Sequence, residues 1–206
     1  MHAKNAGFTL TEVSLGVAVV GILTVATVPN IRSYVESRRS SDASNQVEMH
    51  LRMARSRAVM EGNTYFIQFQ DNNTYVVVDD DGGGQGIPGA AGFVAANRSN
   101  LLPDAGERVY GPFDLPEGIV FDAASGSVNP FTGNATGDAV TFPQVNGGAM
   151  IVFNPDGTTN NTGYIALAPM HAIAAGTVEK ARTLRVLRST GNVSVRQSVT
   201  TAMAGG

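Results

Sequence analysis

The sequence contains no cysteine. That excludes a disulfide framework and any thiolate metal site. It leaves the compartment open, because many exported bacterial proteins carry no disulfides. Charge is also sparse. Of 206 residues 15% are charged, with 14 basic against 17 acidic side chains and a net charge of −3. Such a mildly acidic balance provides no general attraction to nucleic acid or anionic lipid. Histidine is limited to His2, His50 and His171, and no G-x-S-x-G nucleophile signature accompanies them. They read as ordinary surface or capping side chains. The run "DDDGGGQG" lacks a following G-K-[ST], so it is no phosphate loop. Asp79 and Asp81 alternate like oxygen ligands of a calcium loop. The twelfth position, where an EF-hand needs Glu, holds Ala90. A solvated acidic turn is the simpler reading. No enzyme activity, cofactor or metal is expected.

What is present is a long apolar run near the N-terminus. Phe8 to Val28 holds 21 residues with one charge, Glu12. As a helix it would span about 31 Å, the thickness of the hydrocarbon core of a bilayer. No A-x-A cleavage site follows it, as an ordinary secretory signal would require. The available processing point is Gly7, before the run, with His2 and Lys4 in the leader. Cleavage there would leave the apolar segment in place and create an amine on Phe8. Glu12 has two readings. It could snorkel toward headgroups at the interface. Alternatively it could pair with the Phe8 amine of its own or a neighbouring chain, since a carboxylate within the bilayer costs on the order of 2–3 kcal/mol and such groups pair. The charges flanking the run, Lys4 before it and Arg32, Arg38 and Arg39 after it, leave its orientation ambiguous.

After Pro29 a helical pattern continues. Ile31, Val35, Ala43, Val47, Leu51, Ala54 and Ala58 form a narrow apolar stripe suited to packing on a sheet. Glu48 precedes Arg52 in the favourable helical order. The arginine-rich face opposite reads as solvated, and Gly62-Asn63 as a helix stop. Beyond residue 62 glycine and proline become frequent and β-rich runs appear. Strands are expected at 64–69, 74–79, 118–121, 139–142, 149–153, 164–168, 183–188 and 192–199, with "QDNN" and "STG" as hairpin turns. Residues 80–116 and 123–137 read as long loops.

"KNAGFTLTEVSLGVAVVGIL" resembles the class III leader of type IV pilins and type II secretion pseudopilins. The resemblance implies cleavage after Gly7 by a prepilin peptidase, methylation of Phe8, and an assembly role for Glu12. "LRMARSRAVMEGNTYFIQF", "VFNPDGTTNNTGYIAL" and "RTLRVLRSTGNVSV" are similar to the GspH/FimT domain. The implied fold is α+β and pilin-like. It would comprise a leader (1–7), a transmembrane helix (8–28), an amphipathic continuation (29–62) and an antiparallel β domain (63–206). The implied function is a minor pilin or pseudopilin of a type IV pilus or secretion pseudopilus. Its partners would be other pilins, the peptidase and the bacterial inner membrane, with the β domain in the periplasm. The alternative is a DNA-binding minor pilin. Some FimT-like proteins use a G-R-x-R motif for this, but the matching residues here are Gly191-Asn192-Val193-Ser194. Arg185, Arg188 and Arg196, near Arg182 and Lys180, would have to serve instead. With no aromatic platform in sight, nucleic acid is not the expected partner.

Overall fold

The computed structural model describes residues 9–80, 108–122, 127–132, 134, 138–145, 148–177 and 180–200; within these, the side chains of 24–33, 127–128, 145 and 199–200 are not described. Gly7, Phe8 and Asp81 lie outside the described residues. The chain divides into two units, Met1–Arg38 and Arg39–Gly206.

Helix α1 covers Leu10–Glu61, in line with the periodicity, and continues through Pro29. It stops at Gly62, which adopts φ +72° while its N–H donates to the Ala58 carbonyl at 3.1 Å. Glycine reaches that conformation without the Cβ strain that most other residues meet there. In the first unit Leu10, Val13, Leu15, Val17, Val19, Val20, Ile22 and Leu23 are all exposed. Among the described residues no helix is long and apolar enough to cross a membrane; the described side chains of the run end at Leu23.

In the second unit the stripe is buried as its spacing requires. Ala43, Val47, Leu51, Ala54 and Ala58 are at most 1% exposed. The strands are β1 (Thr64–Phe69), β2 (Thr74–Asp80), β3 (Arg108–Asp114), β4 (Ile119–Phe121), β5 (Ser127–Val128), β6 (Gln144–Val145), β7 (Gly148–Phe153), β8 (Gly163–Pro169), β9 (Arg182–Val186), β10 (Val193–Gln197) and β11 (Val199–Thr200), with a short helix α2 (Met170–Ala174) after β8. Among the described residues the strands form three antiparallel sheets: β3-β2-β1-β7-β6, β10-β9-β8-β4 and β11-β5. The inner faces of the first two meet the α1 stripe in a single core. Tyr65, Ile67, Ile151 and Phe153 come from one sheet, and Ile165, Leu167, Leu184 and Val186 from the other. Each such buried side chain stabilises the fold by roughly 1.5–3 kcal/mol.

Several sequence expectations need correction. The presumed loop 80–116 contains β3. Its exposed "RVYGPFD" has no buried alternation, and Gly111-Pro112 reads as a turn. Pairing with β2 makes it a strand, and proline is tolerated because β3 is an edge. Residues 139–142, expected to be a strand, form one bridge, Val140 with Ile165. They are held by bonds from Ala166 N–H to the Ala139 carbonyl and from Thr141 N–H to the Tyr164 carbonyl. The run 192–199 breaks at Ser198, whose hydroxyl bonds to Thr183 Oγ1. His171 lies in α2.

Candidate functional site

Helix α1 begins at Thr9-x-x-Glu12, and the two residues cap one another. Glu12 Oε2 accepts from the Thr9 N–H at 2.9 Å and from the Thr9 hydroxyl at 2.9 Å. Thr9 Oγ1 accepts from the Glu12 N–H at 3.3 Å. This capping box satisfies donors that a helix start leaves unpaired. It gives Glu12 a local partner in Thr9, and the T-x-x-E spacing is its sequence signal.

The arginines of the C-terminal strands follow from strand alternation. Leu184 and Val186 of β9 point into the core, so Arg185 and Thr183 lie on the opposite face of the sheet, where Thr183 is itself buried. Register places Tyr164 and Ser194 beside Arg185, and Arg196 beside Thr183. Phe131 comes onto this face from the turn 129–132. The Asn129 side chain aims it by accepting from the Phe131 N–H at 2.9 Å. The Arg185 guanidinium stands 4.6 Å from the Phe131 ring centre and that of Arg196 4.8 Å. Arg196 also donates to the Pro130 carbonyl at 3.0 Å, and Tyr164 lies 6.0 Å from the Phe131 ring. The expectation that no aromatic group accompanies these arginines is therefore wrong. Phe131 is more than 50 positions before Arg185, and nothing local signals the contact. Arg188 is not part of this group. It lies beyond β9, its backbone N–H bonded to Thr162 Oγ1 at 3.0 Å.

Asp79 is neither solvated nor open to a cation. It is 1% exposed; Oδ2 meets Arg108 Nε at 3.2 Å and Oδ1 accepts from Asn63 Nδ2 at 3.3 Å. The Asp79 charge is the main reason that the Arg108 pKa is raised. Among the described residues no group of three or more potential ligands for a metal ion occurs.

His50 is not a surface histidine. It is 8% exposed, on the sheet side of α1, with Nδ1 2.7 Å from the Tyr75 hydroxyl and its ring 4.0 Å from that of Phe113. Burial lowers its pKa and raises that of Tyr75. Nor is the arginine face of α1 simply solvated. Arg52 Nε pairs with Glu48 at 3.0 Å, Arg57 lies over Tyr110, and Arg55 reaches the Gly157 carbonyl at 3.4 Å.

An N-terminal helix packed through its later half on antiparallel sheets defines a pilin-like α+β protein. The family described as type II transport protein GspH matches residues 43–191. The chain belongs to this family. Among solved structures it is similar to the type IV minor pilin FimU of Pseudomonas aeruginosa in two crystal forms. The first is 15% identical, with 79% of this chain and 92% of that chain covered and a TM-score of 0.43. The second is 15% identical, with 76% and 91% covered and a TM-score of 0.40. No curated protein matches the chain.

Proposed function

We propose that the chain is a minor pilin or pseudopilin, a structural subunit of a type IV pilus or a type II secretion pseudopilus. The observation that carries this is the α1 surface from Leu10 to Leu23, where eight large apolar side chains are exposed. A patch of that size needs a partner surface. In this reading the partner is first the inner membrane, crossed by residues 8–28 with the β domain in the periplasm. After a prepilin peptidase cuts at Gly7 and Phe8 is methylated, the partner becomes the helices of other pilins. Glu12 then neutralises a Phe8 amine. Its capping bonds to Thr9 keep the carboxylate satisfied until that partner arrives.

The test compares Glu12→Ala with wild type in a strain without the native copy. The variant should insert and be cleaved, since the segment becomes more apolar and Gly7-Phe8 is intact. It should be lost from sheared filaments, because a buried amine without a counter-charge is strongly unfavourable. Equal filament-to-membrane ratios would refute the assembly role. Intact mass of the membrane form should correspond to methyl-Phe8 at the N-terminus.

A second reading, DNA binding by the displayed subunit, is favoured by one observation: Arg185 and Arg196 converge on an aromatic ring with a tyrosine beside it. Cations with stacking rings are the usual elements of single-strand recognition.

A further inference from the structure

We propose that Phe131 closes a two-arginine oxyanion site on the outer face of β8–β9–β10, and that a phosphate group opens it by taking the place of the ring. The proposal rests on the nucleic-acid reading for the natural source of the phosphate, but its chemistry stands on the local geometry.

Three observations carry it. Two guanidinium groups approach one ring, at 4.6 and 4.8 Å from its centre. Like charges drawn to the same spot repel, and the face of a ring offsets this only in part. Second, Arg185 Nε is buried and has no hydrogen-bond partner among the described residues. A buried donor without an acceptor is costly, and an arginine donor fits a phosphate oxygen well. Third, the four ion pairs among the described residues are Arg39–Glu117, Arg52–Glu48, Arg108–Glu61 and Arg108–Asp79. None uses Arg182, Arg185, Arg188 or Arg196. Among the described residues these four arginines have no carboxylate partner.

The closure is also slight. Phe131 is carried by the Asn129 turn, and the flanking β5 pairs with β11 through only two residue pairs, Val128–Val199 and Ser127–Thr200. When the ring leaves, Arg185 Nε can donate to a phosphate oxygen. Arg196 can exchange the Pro130 carbonyl for a second oxygen. Tyr164 remains as a stacking surface for a base attached to that phosphate.

The experiment uses the full chain in detergent and two probes: inorganic phosphate, and a fluorescent thymidine oligonucleotide. Phe131→Leu keeps apolar cover but removes the aromatic face. Its thermal midpoint should rise with phosphate, against sodium chloride at equal ionic strength, by more than that of wild type. Its oligonucleotide affinity should tighten roughly tenfold, matching the removal of the two cation–π contacts that hold the site closed. Adding Arg185→Gln should cancel both gains. A phosphate response without oligonucleotide binding would refute the DNA reading and leave the oxyanion site standing, with free phosphate as its ligand. A folded Phe131→Leu protein with no gain in phosphate response would overturn the closure, whatever the oligonucleotide does. Should that variant fail to fold, Asn129→Ala loosens the turn that aims the ring and is expected to shift the phosphate response in the same direction; no shift would overturn the proposal.

Discussion

His50 Nδ1 and the Tyr75 hydroxyl stand 2.7 Å apart at the contact between α1 and the first sheet, and Phe113 covers the imidazole. Burial lowers the His50 pKa in the folded state. The unfolded chain therefore binds more protons than the folded one once the pH drops below the ordinary histidine value of about 6.5. The His50 contribution is complete above that value and declines as the pH falls through it toward the folded pKa. The slope from this one group is at most about 1.4 kcal/mol per pH unit. Urea unfolding between pH 7.5 and pH 5, values chosen to bracket the ordinary pKa of ~6.5, should show this decline in wild type. In His50→Gln the slope in this range should be flatter.

Gly157 and Gly191 join the turns after β7 and β9 to Arg55 of α1. Gly191 has φ +58°, and a Cβ there would come within 2.5 Å of the Gly157 carbonyl and 2.9 Å of Arg55 Cδ. At Gly157, φ +80°, the nearest atom would be Val59 Cγ2 at 3.3 Å. Gly191→Ala therefore combines backbone strain with a backbone clash. It should cost about 2–4 kcal/mol, and Gly157→Ala about 1–2 kcal/mol, the cost of strain alone. Denaturant midpoints of the two variants would check the order.

Asp79 and Arg108 join the end of β2 to the start of β3. Removing the guanidinium takes the counter-charge from a buried carboxylate and leaves it the hydrogen bond from Asn63. Arg108→Gln should lower the denaturant midpoint, by less than the loss of a fully buried pair would because the arginine side chain is 64% exposed. Adding Asp79→Asn should restore part of the stability. A double variant no more stable than Arg108→Gln alone would show that the pair does not account for the effect.

Much of the architecture was legible in the residues because it depends on local periodicity. The stripe Ala43, Val47, Leu51, Ala54 and Ala58 recurs with helical spacing and is buried as that spacing demands. β1 and β2 are uninterrupted β-rich runs either side of a four-residue turn, and they pair in register from Thr64–Asp80 to Phe69–Tyr75. Gly62 ends α1 where a left-handed residue is needed. The leader motif around Gly7, Phe8 and Glu12 stands in the sequence alone, since Gly7 and Phe8 lie outside the described residues.

Tertiary structure alone decided the rest. β3 is a strand only because β2 offers it a ladder; its own residues carry no alternating pattern. Asp79 reads as part of a solvated acidic turn in the sequence, yet Arg108, 29 positions later, meets it across that ladder. Phe131 and the arginines 185 and 196 are brought together by the Asn129 turn and the β8–β9–β10 register. Local sequence specifies which backbone state a segment prefers, through steric and hydrogen-bond terms between near neighbours. Which distant side chains then share a face depends on strand order and register, and those are set by burying the whole core at once.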